Sequence, residues 1–195
     1  MKRFTALFAL LAFAACGGGE PAPDATPAEE AAPAEAPASA PAGEMTMTDW
    51  FHVDEANQMV HMTITAGAVD NVIGYWNFNG GANGDMTITV PEGYNVMIDF
   101  KNDDPAMAHS LGISATNSGF GAMVDPVAAF EGAMTSNPTS MTQATMPGQE
   151  ESISFVASTA GEYAMVCYIP GHAATGMWIR FNVSSDGTFG VQGAM

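Results

Sequence analysis

From residue 45 onward, short apolar runs alternate with clusters of Gly, Pro and Asn. In residues 86–90, Met86, Ile88 and Val90 fall on one side and Thr87 and Thr89 on the other. In residues 95–100, Val96, Ile98 and Phe100 oppose Met97 and Asp99. A period of two, rich in β-branched residues, is the signature of a strand with one face in a core. Runs at residues 59–65, 151–156, 162–167 and 177–183 extend the series. Gly80-Gly81, Asn83-Gly84, Pro91-Glu92-Gly93 and Ala160-Gly161 supply the turns between them. Many short strands in one domain predict an all-β antiparallel sandwich. Residues 117–148 show no clear period, and the expectation there is a crossover with a short helix near residues 126–131.

The first 44 residues follow a different pattern. Lys2 and Arg3 precede an apolar run over residues 4–14, and Ala14-Ala15 stand just before Cys16. This is a secretory signal peptide, too short for a membrane span of about 20 residues. The small pair, the Cys and Gly17-Gly18-Gly19 resemble the lipobox of bacterial lipoproteins. That resemblance implies lipid on Cys16, which becomes the first mature residue and anchors the protein to a membrane facing the periplasm or cell exterior. Residues 17–44 are Ala, Pro and Glu with little that is large and apolar, a composition that stays extended and disordered. The expected organisation is a leader over residues 1–15, a tether over 16–44 and a folded domain over 45–195.

Charge changes the picture modestly. The formal net charge is −17, from 4 Lys and Arg against 21 Asp and Glu. Removing the leader leaves Lys101 and Arg180 against all 21 acids, hence −19. Such a surface repels nucleic acid and steers basic partners toward it, or serves solubility alone. No glycine-rich phosphate loop and no GxSxG elbow is present. The two cysteines are Cys16 and Cys167. Lipid on Cys16 would leave Cys167 a lone thiol in an oxidising compartment, where a metal would occupy it.

The chemistry concentrates near the C-terminus. A strand delivers Cys167, Pro170-Gly171 turns the chain back through His172, and Met177 opens the next strand. The spacing C-x4-H-x4-M places thiolate, imidazole and thioether on one loop. A further His must come from elsewhere, and His109, in a turn-like segment after a strong strand, is the candidate. Two imidazoles, one thiolate and a weak axial Met suit copper in both oxidation states, so little reorganisation accompanies an electron. Four ligands leave no position for substrate, which argues against an enzyme.

This motif resembles cupredoxins, and its spacing resembles the long-loop members, rusticyanin and sulfocyanin, with sulfocyanin the closer. The stretches Trp76-Asn77-Phe78-Asn79-Gly80, Asn83 to Ile88, Val90 to Val96 and Ala108-His109-Ser110-Leu111 carry the resemblance, together with Cys167 to Trp178. It implies a Greek-key β-sandwich with one type 1 copper on His109, Cys167, His172 and Met177. It also implies a respiratory carrier whose partners are proteins such as a cytochrome or terminal oxidase.

Alternatives exist for each residue. Cys167 alone would be a buried small hydrophobe, and Met177 a gap-filler among 15 methionines. His52 and His61 lack a ligand-like setting and are read as non-ligands. Met59, His61 and Met62, with Met45 and Met47 nearby, motivate a rival function in copper storage or delivery. Tyr168, Ile169 and Trp178 are expected to collar the ligand loop, or to form a docking patch around an exposed edge of His172. The Ser110 hydroxyl is expected to hydrogen-bond backbone beside Cys167, joining the two ligand loops.

Overall fold

The computed structural model describes residues 45–193. The leader and the tether lie outside the described residues. Among the described residues, nine strands form two sheets. They are β1 (Phe51–Asp54), β2 (Met59–Ala66), β3 (Thr87–Pro91), β4 (Asn95–Asn102), β5 (Gly112–Ser114), β6 (Glu150–Val156), β7 (Gly161–Val166), β8 (Trp178–Ser184) and β9 (Gly190–Gln192). One sheet runs β1-β2-β4-β6 and the other β5-β7-β8-β3-β9.

The expected alternation is present. In β4, Val96, Ile98 and Phe100 are fully buried while Met97 points outward. From the facing sheet, Ile88, Val90, Ile179, Phe181 and Met165 join the same core. Removing a buried ring such as Phe100 would cost about 3–5 kcal/mol, the transfer energy plus the cavity it leaves.

The sheets are mixed rather than antiparallel. β2 pairs with β4, and β3 with β8, in parallel. The cause is topological. The chain leaves β2, crosses to the opposite sheet as β3, and returns as β4 running in the direction of β2. Side-chain alternation is the same for either pairing, so the pattern could not separate them.

Residues 126–131 are not helical. Ala129 N–H donates to the Ile113 carbonyl at 2.7 Å, and Ile113 N–H donates to the Ala133 carbonyl at 2.9 Å. The backbone groups a helix would satisfy internally are spent instead on β5, which has no other partner on that side. Among the described residues the α-helix is α1 (His172–Thr175), inside the predicted ligand loop.

Candidate metal centre

Four chain segments meet at one end of the sandwich: the turn after β2, the turn after β4, and the two ends of the β7–β8 connection. His109 lies between β4 and β5 and is clamped to a neighbouring loop. Its N–H donates to the Thr145 carbonyl at 3.0 Å and its carbonyl accepts from Thr145 N–H at 3.1 Å. Below it, buried Asn102 donates to the carbonyls of Met107 and Thr145, both at 2.8 Å, and its Oδ1 accepts from Asp104 N–H.

Asp104 then sets the ring. Its Oδ1 accepts from the N–H groups of Ala106 and Met107, and its Oδ2 lies 2.9 Å from His109 Nε2. Burial alone would raise this carboxyl, but these hydrogen bonds outweigh it and hold the group below its ordinary value. A charged Asp104 can only accept, so His109 Nε2–H donates to it and Nδ1 faces the interior as a lone pair. Orienting a ligand imidazole through its second nitrogen in this way is the common arrangement in metal sites. Burial also pushes His109 below its ordinary value, which keeps the ring neutral. Sequence reasoning missed Asn102 and Asp104. The signal available to it was an Asn-x-Asp turn directly after a strand, which is common in turns without metals.

Cys167 follows β7, and its N–H donates to the Met177 carbonyl at 3.2 Å. Burial pushes its thiol up to about 11. The next residues turn tightly. His172 N–H donates to the Ile169 carbonyl, and Gly171 adopts φ 87°, in the left-handed region that favours glycine. α1 then closes within one turn at Gly176, where φ is 120° and an added Cβ would lie 2.2 Å from Asn83 Oδ1. Met177 N–H donates to the His172 carbonyl at 2.9 Å. This closure returns Met177, fully buried, beside Cys167 in the core cluster.

Three ligand atoms converge. Cys167 Sγ is 3.9 Å from His109 Nδ1 and 3.5 Å from His172 Nδ1, and the two nitrogens are 3.2 Å apart. The point equidistant from all three lies ~2.1 Å from each, the bond length a first-row ion such as zinc makes to nitrogen or sulfur (about 2.0–2.3 Å). Among the described residues this trio forms a cluster of three His and Cys ligand atoms that all lie within 4.8 Å of one another. Cys167 and His109 are 0% exposed and His172 is 1% exposed, so the atoms are withdrawn from water. Burial, and then the neighbouring His109, push His172 down to about 4. Two imidazole lone pairs and a thiol packed this closely fit a soft or borderline cation.

The expected exposed edge of His172 is not observed. Its ring is covered by Trp76, stacked at a centroid distance of 3.9 Å. Trp76 is held by its neighbour Asn77, fully buried, which donates to the carbonyls of Val69 and Val72 and accepts from Gly80 N–H. The collar divides as well. Ile169 packs in the core cluster with Cys167 and Met177, whereas Tyr168 and Trp178 join a separate cluster with Phe120 and Val124. Ser110 does join the two loops: Tyr168 N–H donates to its Oγ at 2.9 Å. That leaves the hydroxyl hydrogen free to face Cys167 Sγ, 3.7 Å away, while Ser110 N–H lies 3.5 Å from the same sulfur.

His52 and His61 lie outside this cluster, on β1 and β2. Met62 is buried in the core while Met59 and His61 face outward, so the tract behind the storage alternative is split between two faces.

A two-sheet β-sandwich that gathers two histidines, a cysteine and a buried methionine on its end loops is a cupredoxin. Residues 48–191 match the family model described as the sulfocyanin (SoxE) domain. The sulfocyanin of Sulfolobus acidocaldarius is 32% identical over 142 residues, covering 68% of this chain and 67% of that protein. A crystal structure of rusticyanin variants aligns at TM-score 0.50 and 23% identity, over 72% of this chain and 86% of that one, a likeness of fold. Rusticyanin from Thiobacillus ferrooxidans is 27% identical over 70% of this chain and 87% of its own, at TM-score 0.47. The chain belongs to the sulfocyanin family.

Proposed function

We propose that His109, Cys167, His172 and Met177 are the four ligands of a single type 1 copper. Sulfocyanins are blue-copper electron carriers, so the chain carries electrons between redox partners outside the cytoplasm and is not an enzyme. The observation that carries the ligand assignment is the triangle of Cys167 Sγ and the two Nδ1 atoms around a point at bonding distance from each.

Copper bound there supplies a one-electron Cu(II)/Cu(I) couple. The chain's own residues do the rest. Asp104 fixes the tautomer of His109, so its Nδ1 needs no proton removed before it ligates. Ser110 Oγ and the Ser110 N–H lie beside the Cys167 sulfur and draw electron density from a thiolate, which favours the reduced state. Ile169 and Trp76 keep water from the sulfur and from His172. Because both loops are pinned by backbone hydrogen bonds, the ligand atoms hold one geometry in both states.

The acidic chain favours a basic-surfaced partner such as a cytochrome or terminal oxidase. The organisation into leader (1–15), tether (16–44) and domain (45–195) would attach the carrier to a membrane through lipid on Cys16. Protein-film voltammetry tests the centre: a reversible one-electron couple is expected from the copper-loaded protein and none from Cys167→Ala. Mass spectrometry of the membrane fraction tests the anchor, which requires a diacylglyceryl mass on Cys16. Electron exchange with a basic partner should slow as salt screens the charge, and a flat salt dependence would rule out steering.

A further inference from the structure

We infer that the outward face of the first sheet carries a second copper site, in which His52, His61 and Met97 hold one cuprous ion. The register makes the argument. His52 on β1 lies opposite His61 on β2, and His61 lies beside Met97 on β4. The three therefore form one row across three adjacent strands. All point away from the core, because Phe51, Val60, Met62, Val96 and Ile98 beside them are fully buried. Side chains directly opposite in a sheet have Cβ atoms about 4.5–5.5 Å apart, so two imidazoles leaning together reach one ion.

His61 is already oriented as a ligand. Its Nε2 lies 2.7 Å from Asp99 Oδ2, and Asp99 Oδ1 accepts from Ser152 Oγ at 2.6 Å. Ser152, then His61, hold the Asp99 carboxyl below its ordinary value, so it stays an anion that keeps the proton on His61 Nε2. His61 Nδ1 is thereby left as a lone pair. The same carboxylate–imidazole arrangement orients His109 through Asp104 at the buried centre. A His61–Asp99 hydrogen bond this exposed contributes little to stability by itself. A second imidazole on one side and a thioether on the other go beyond what that hydrogen bond requires. Met97 is 38% exposed, and Met59, diagonal to it on β2, is 39% exposed. Thioether with imidazole favours Cu(I) over zinc and over harder ions, and the negative charge of the chain concentrates cations at its surface.

The test is an anaerobic titration of the full mature protein with Cu(I) in competition with a chromophoric chelator. Reoxidation of the same sample then reports the buried centre through its thiolate-to-copper band, so failure of one site is distinguishable from failure of the other. Two Cu(I) per chain are expected for the wild type. His52→Ala and His61→Ala should each bind one and keep the full visible band. Asp99→Asn should weaken the second Cu(I) about 10-fold or more, as loss of a ligand's carboxylate partner does elsewhere. Far-UV circular dichroism confirms that these outward-facing variants fold. A single Cu(I) in the wild type, or a second that persists in both histidine variants, overturns the assignment.

Discussion

The indole of Trp76 lies stacked on the imidazole of His172, with centroids 3.9 Å apart and planes 18° apart. The indole covers the imidazole, which is 1% exposed. Water near a copper centre stabilises the more highly charged oxidised state, so a dry cover raises the reduction potential. Trp76→Leu should therefore lower the potential by tens of millivolts while leaving the visible spectrum in place. Voltammetry of the two proteins in one buffer checks this. An unchanged potential would show that the indole is packing alone.

Ser110 ties the first-ligand loop to the Cys167 loop through the Tyr168 N–H. Ser110→Ala leaves that buried donor unsatisfied, which costs about 1–3 kcal/mol. It also removes the hydroxyl beside the Cys167 sulfur. The variant should be less stable to denaturant and should show a lower potential. A stability loss without any change in potential would confine Ser110 to a structural role.

In the metal-free protein, burial and then His109 hold His172 down to about 4, against an ordinary value of 6.5. Between those two values the unfolded chain binds a proton that the folded chain refuses. Stability therefore rises with pH across this window and is lost as pH falls through it. Burial of His109 acts in the same direction. Urea denaturation of metal-free protein should give a lower midpoint at about pH 4.5 than at about pH 7. His172→Gln should shrink the difference, and an equal difference in that variant would place the acid sensitivity elsewhere.

How much of this was readable in the chain depends on the range of each interaction. Val96, Ile98 and Phe100 announced a strand because alternation is local. Cys167, His172 and Met177 announced a site because one loop carries all three. The parallel pairing of β2 with β4 was not readable, since a crossover through the opposite sheet leaves no mark on either strand's pattern. The absence of a helix at residues 126–131 depends on backbone bonds to Ile113 and on its neighbours. Trp76 over His172 joins segments far apart in sequence, and neither residue carries a sign of the other. The row of His52, His61 and Met97 likewise exists only once the register of three strands is fixed.

The ligation of copper by Cys167 is the central claim, and visible absorption during titration with Cu(II) tests it most directly. An intense thiolate-to-copper band should grow until one equivalent is bound, bleach on reduction, return on oxidation, and be absent from Cys167→Ala. A colourless protein at one equivalent, or a band that survives in Cys167→Ala, would contradict the account.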